Sequence, residues 1–98
     1  MRLAFYQFAP ELGAVEKNRE RLATALHGLD ADLIVLPELA TTGYLFTSRE
    51  ELFRQAEPVP GPTTDLLQRC AAASGAHIVL GIAERVDGRC YNLSLIHI

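Results

Sequence analysis

Two kinds of hydrophobic pattern alternate along the chain. Short continuous apolar runs, such as Leu33 to Leu36, give way to longer stretches in which apolar residues recur at helical spacing. Arg2 to Phe8 predicts a first strand with apolar residues on both faces and Gln7 as its one polar break. Pro10-Glu11-Leu12-Gly13 predicts a loop. From Glu16 to about His27 the pattern is helical: Leu22, Ala25, Leu26 and Leu29 share a stripe, while Lys17, Arg19, Glu20 and Arg21 face water. Asn18 extends that stripe toward the helix start, either as a buried polar residue bonded to a neighbouring loop or as an exposed first-turn residue. Gly28 suits the left-handed position that ends a helix. Asp32 to Leu36 then predicts a second strand, buried on both faces because its large apolar residues are consecutive. Strand, helix and strand in this order imply a right-handed parallel unit.

Further on, Ser48-Arg49-Glu50-Glu51 opens a short helix through Gln55, with Ser48 as N-cap and Glu51 completing a capping box. Pro58-Val59-Pro60-Gly61-Pro62 breaks the chain, and a third helix is expected from about Thr63 to Ser74, closed by Gly75. Leu66, Leu67, Cys70 and Ala71 form its inward stripe. His77 to Ala83 predicts a third buried strand. Asp87-Gly88 is a strong hairpin turn, so Cys90 to Ile98 should return antiparallel.

Composition narrows the class. Ninety-eight residues make at most one domain, and the formal net charge of −3 offers no basic footprint for nucleic acid or an anionic membrane surface. No run approaches the ~18 apolar residues of a membrane helix, so a cytoplasmic location is expected. Cys70 and Cys90 match no zinc-ligand spacing and read as free thiols. Cys70 lies on an apolar stripe, where a thiol is an inert core residue. Metal and cofactor sites are not expected. A nucleotide site is unsupported too, since the loop APELGAVEKN between the first strand and helix holds one glycine.

The candidate chemistry lies just after the second strand. Pro37 cannot continue a central ladder, so Glu38 becomes the first residue past the C-terminal end of a buried strand, where ligand sites of α/β folds concentrate. Flanked by Leu39 and Ala40, its carboxylate should be partly desolvated, which would raise its pKa toward the range of a general base. A carboxylate in this place can equally cap a helix or point into water. Glu84, at the end of the third strand, suits an ion pair or strand-end charge.

The run LIVLPELATTGY resembles the N-terminal motif of the nitrilase (carbon-nitrogen hydrolase) superfamily. RLAFYQFAP, Asn18, VPGPTTDLLQRCAAASGAHIVLGIAER and the Tyr91-Asn92 pair agree with that family in order and spacing. The resemblance spans Met1 to about Asn92, and the tail LSLIHI departs from it. It implies an α/β fold that is the N-terminal, incomplete part of an α-β-β-α sandwich, with one sheet face uncovered. It also implies hydrolysis of non-peptide carbon-nitrogen bonds in an amide, carbamoyl or nitrile substrate by a Glu-Lys-Cys triad. Glu38 would be the base, Tyr44 a pocket-lining residue, and the lysine and cysteine would lie beyond this chain. Lys17, the sole lysine, and the two cysteines are not assigned to the triad. Residues 1–98 are thus expected to be one partial, inactive domain of a longer enzyme that forms homo-oligomers. The competing expectation is a small α/β module that binds a ligand or partner without catalysis, and a third is an assembly piece that dimerises through a helix.

Overall fold

A computed structural model describes residues 1–97, so Ile98, the predicted end of the last strand, lies outside the described residues. The elements run β1 (Leu3–Phe5), α1 (Val15–Leu26), β2 (Leu33–Val35), α2 (Arg49–Gln55), α3 (Pro62–Ser74), β3 (His77–Val86) and β4 (Arg89–His97). They form one mixed sheet in the order β1-β2-β3-β4, parallel across β1, β2 and β3 and antiparallel between β3 and β4. The hairpin turn holds both Asp87 (φ 51°) and Gly88 (φ 74°) at positive φ, the geometry of a two-residue turn whose twist suits its strands.

Side chains alternate across each strand. Helices α1 and α3 cover one side, while on the other Leu52 of α2 packs beside Leu39, Ala56 and Ala83 toward the hairpin end. Ile34, Ile78, Leu80 and Ile82 point inward and are fully buried against Leu22 and Leu26 of α1 and Leu67 and Ala71 of α3. Leu93 and Leu95 of β4 complete this layer. The opposite face carries Phe5 at 77% exposure, Leu3 at 68%, Ile96 at 65% and Val35 at 42%. Strand β2 is therefore covered on one face, not on both as its consecutive apolar residues predicted. A run of four apolar residues records that both faces shun water; it does not say that both coverings lie in the same polypeptide.

Other expectations shift at their edges. The first strand is shorter than predicted, ending at Phe5, although Tyr6 still donates to the Val35 carbonyl at 3.0 Å. Past that point β2 has reached Pro37 and supplies no further ladder. Tyr6 and Phe8 stack instead, ring centroids 5.1 Å apart, beneath the Arg21 guanidinium 4.9 Å from the Phe8 ring. Arg21 is thus half-buried, not fully solvated as expected. Ser48 does cap α2, accepting from the Glu51 amide at 3.1 Å. The return half of the capping box moves by one residue: Glu51 accepts from the backbone amide of Thr47 at 2.7 Å and from the Thr47 hydroxyl. Those bonds, the hydroxyl's first, hold the Glu51 carboxyl below its usual value of 4.5.

Candidate active site

Glu38 is placed by backbone contacts. Beyond β2, the Leu36 amide donates to Val79, the Gly81 amide donates to Pro37, and the Ala40 amide donates to Gly81, at 2.8–3.1 Å. The segment therefore keeps to the flank of β3 after the regular strand has ended. Leu39 turns at φ 47°, a left-handed conformation sparsely used by residues with a branched side chain. It is a local strain of the kind that concentrates at functional sites. Gly81 makes this passage possible: a Cβ there would stand 2.4 Å from the Glu38 Cα and 2.9 Å from the Leu39 nitrogen. Only glycine lets the two backbones approach this closely.

The far end of the loop is held by Asn18. Its side chain, completely buried, donates to the Glu11 carbonyl at 2.8 Å and to the Thr41 carbonyl at 2.9 Å, while its oxygen accepts from the Glu11 amide at 2.8 Å. Of the two roles open to Asn18, burial with bonds to neighbouring loops is the one observed. One asparagine ties the start of α1, the loop before it and the Glu38–Tyr44 segment together.

At the tip, both oxygens of the Glu38 carboxylate accept hydrogen bonds. The Tyr44 phenol donates to Oε2 at 3.3 Å, and the Asn92 side-chain amide of β4 donates to Oε1. Tyr44 is 62% exposed; desolvation, followed by the charge and hydrogen bond of Glu38, holds its phenol above the usual value of 10.0. Glu38 itself is exposed, which corrects the expectation of partial desolvation. Leu39 and Ala40, its apolar neighbours, bury their own side chains and leave the carboxylate standing at the rim. Asn92 had no assigned role in the sequence. The signal that could have found it is the hairpin: counting back from Asp87-Gly88 sets Ala83 opposite Asn92, next to Gly81 and Ser94 on the same face.

The remaining candidates make no hydrogen bond to the Glu38 carboxylate among the described residues. Lys17 pairs with Glu11 at 2.7 Å on the solvated side of α1. Cys70 is half-buried on α3, where desolvation raises its thiol above the usual 9.0. Cys90 packs against the small cluster of Leu39, Ala56 and Ala83. Glu84 pairs in register with Tyr91 and bridges to Glu57. A hollow of about 870 Å³ opens between α2 and the hairpin, lined among others by Arg49, Phe53, Arg89 and Tyr91, and neither Glu38 nor Tyr44 lines it. Among the described residues there is no cluster of three metal-ligating side chains, and no helix is long and apolar enough to cross a membrane.

A second carboxylate, which the sequence did not single out, is the buried one. Glu57 is 6% exposed, accepting from the Thr63 amide at 2.7 Å, the Thr63 hydroxyl at 2.8 Å and the Arg19 guanidinium at 3.4 Å. Arg19 also donates to the Thr63 hydroxyl at 3.0 Å, so it reaches inward and does not face water as its helical position predicted.

A mixed sheet with α1 and α3 packed on one face, and a carboxylate at the end of its second strand, define an α/β protein with a rim site. Residues 2–97 match the carbon-nitrogen hydrolase family model, and the chain belongs to that family. It is 37% identical to a nitrilase from Pyrococcus abyssi over 98% of its own length and 38% of that protein's. It is 33% identical to an (R)-stereoselective amidase from a Pseudomonas species, again over 98% of this chain and 35% of the relative. The chain thus spans about a third of the length of these curated relatives. Its fold superposes with a TM-score of 0.85 on a carbon-nitrogen hydrolase superfamily protein from Xanthomonas campestris that carries an arsenic adduct in its active site. Identity there is 28%, covering 98% of this chain and 36% of that one. The same TM-score relates it to an N-terminal amidase at 24% identity, covering 97% of this chain and 24% of that one, a likeness of fold.

Proposed function

We propose that this segment supplies the general base of a hydrolase that cleaves non-peptide carbon-nitrogen bonds in small amide, carbamoyl or nitrile substrates. The observation that carries this reading is the position of Glu38 in a chain matched by the family from residue 2 to residue 97: an accessible carboxylate at a strand end, on a backbone fixed by Gly81 and Asn18. In the mechanism the family resemblance implies, a cysteine thiolate attacks the carbonyl or nitrile carbon and forms a thioester or thioimidate. The base takes the thiol proton and passes it to the departing amine of an amide or to the nitrogen of a nitrile. Water then hydrolyses the thioester or thioimidate, releasing the product (with ammonia from the thioimidate) and restoring the thiol. A lysine ammonium faces the oxyanion that develops. In this reading the lysine and cysteine of the triad come from polypeptide outside these residues, which the places of Lys17 in an ion pair on α1, Cys70 on α3 and Cys90 in an apolar cluster support. That polypeptide would also cover the apolar face formed by Leu3, Phe5, Val35 and Ile96.

The test is Glu38→Gln in the whole hydrolase that contains this segment, assayed on amide and nitrile substrates. Turnover should fall by roughly 10²–10⁴-fold, the usual contribution of a positioned acid/base. Undiminished turnover would remove Glu38 from the mechanism. The 98-residue chain assayed alone should show no hydrolysis.

A further inference from the structure

Glu38 extends from a bend at the rim, where its own side-chain torsions and one exposed tyrosine would leave the carboxylate plane loosely defined. The bond from β4 changes that. Asn92 lies on a strand paired with β3 over its whole length, in register with Ala83, while Gly81 of β3 lies directly beneath the Glu38 backbone. The backbone of Glu38 and the amide that holds its Oε1 are thereby referred to the same strand, two residues apart. Tyr44 holds the other oxygen from the loop that carries Glu38, so it would move with that loop. Among the described residues, Asn92 is the one donor to the carboxylate that comes from outside the loop.

We infer that Asn92 is a positioning residue for the proposed base: its amide fixes the carboxylate plane so that the remaining lone pairs of Glu38 face the open side of the sheet. This inference rests on the reading of Glu38 as base. An amide suits the task, because it donates to the carboxylate without placing a fixed cation beside a group that must accept and release a proton. A lysine or arginine there would bind the carboxylate as an ion pair and compete with that proton. Aspartate, nearly isosteric, would set a like charge against Glu38.

Asn92→Leu, Asn92→Asp and Asn92→Gln in the whole enzyme test the assignment, with kcat normalised to titrated active-site thiol so that misfolded protein does not count. Asn92→Leu should lower kcat by about 10–100-fold with KM unchanged, the scale expected when a reacting group loses its orientation. Asn92→Asp should fall further, and Asn92→Gln, which keeps the donor on a longer arm, should recover part of the loss. Parental kcat in Asn92→Leu, with Glu38→Gln inactive, overturns the role of Asn92 and leaves the base in place. Equal losses in all three variants would mark a defect of the strand, and that too overturns it. Full activity in Glu38→Gln would instead defeat the underlying reading of the base.

Discussion

Two glutamates flank the same strand and have opposite surroundings. Glu38 lies beside Gly81 and Glu57 pairs beside Ala83 and Glu84, so both approach β3 from the same edge. Glu57 is enclosed, and its oxygens accept from the Thr63 amide and hydroxyl and from Arg19, tying α1 to the start of α3. Glu38 is exposed and, among the described residues, meets two neutral side-chain donors. A buried carboxylate must be saturated with donors, because desolvation without compensation is costly, and saturation leaves it no capacity for chemistry. An exposed carboxylate on a rigid backbone keeps free lone pairs. Burial therefore separates the clamp from the candidate base.

The largest effect expected is the one on turnover described for Glu38→Gln, which should leave the unfolding midpoint unchanged because no buried group loses a partner. Glu57→Leu should do the reverse in kind. It leaves the Thr63 amide and hydroxyl and the Arg19 guanidinium without their acceptor, destabilising the protein by about 2–3 kcal/mol, the scale of hydrogen bonds to a charged group. Urea unfolding read against activity per folded molecule would show whether the two glutamates divide in this way. Stability loss in both variants, or activity loss in both, would end the distinction.

Gly81→Ala sharpens the comparison from beneath. The added methyl must displace the Glu38 backbone, costing about 1–3 kcal/mol as overpacking does and lowering turnover through the shifted base. Asn18→Ala frees the Thr41 end of the same loop and leaves buried backbone groups unpaired, for roughly 1–3 kcal/mol. Its activity loss should be smaller than that of Gly81→Ala, because Gly81 touches Glu38 directly. Thermal melts and kcat on the same preparations check both.

The smallest effect concerns pH. The folded state holds the Glu51 carboxyl below 4.5, so it binds its proton less readily than the unfolded chain does. That difference stabilises the fold above the unfolded value and is lost as pH falls through the lower, folded one. Glu51→Gln should therefore weaken α2 slightly at neutral pH and flatten the acid side of the stability curve. A parallel acid limb in the variant would assign that slope to other carboxylates.

How far the residues disclosed these roles varies. The Gly28 and Gly75 helix ends, the Ser48 cap and the Asp87-Gly88 hairpin were legible because each depends on residues within a few positions. The placement of Glu38 at a strand end was legible for the same reason: apolar residues stop at a proline. Arg19 differs from its solvated expectation because helical periodicity describes a face, and a long side chain can leave its face to reach Glu57. The two-sided burial expected of β2 is not met within these residues because hydrophobicity states a need for cover without naming what provides it.

The order of strands and helices, the turn residues that separate them and the carbon-nitrogen hydrolase character of the motif around Glu38 could be determined from the sequence by itself, since each rests on local backbone preference or on an ordered pattern. Only the tertiary structure decided which carboxylate is buried, why position 81 admits glycine alone, and that Asn92, fifty-four residues away from Glu38 in the chain, donates to its carboxylate. Those are facts of approach between distant segments. They follow from β-strand register and loop path, which no window of neighbouring residues contains.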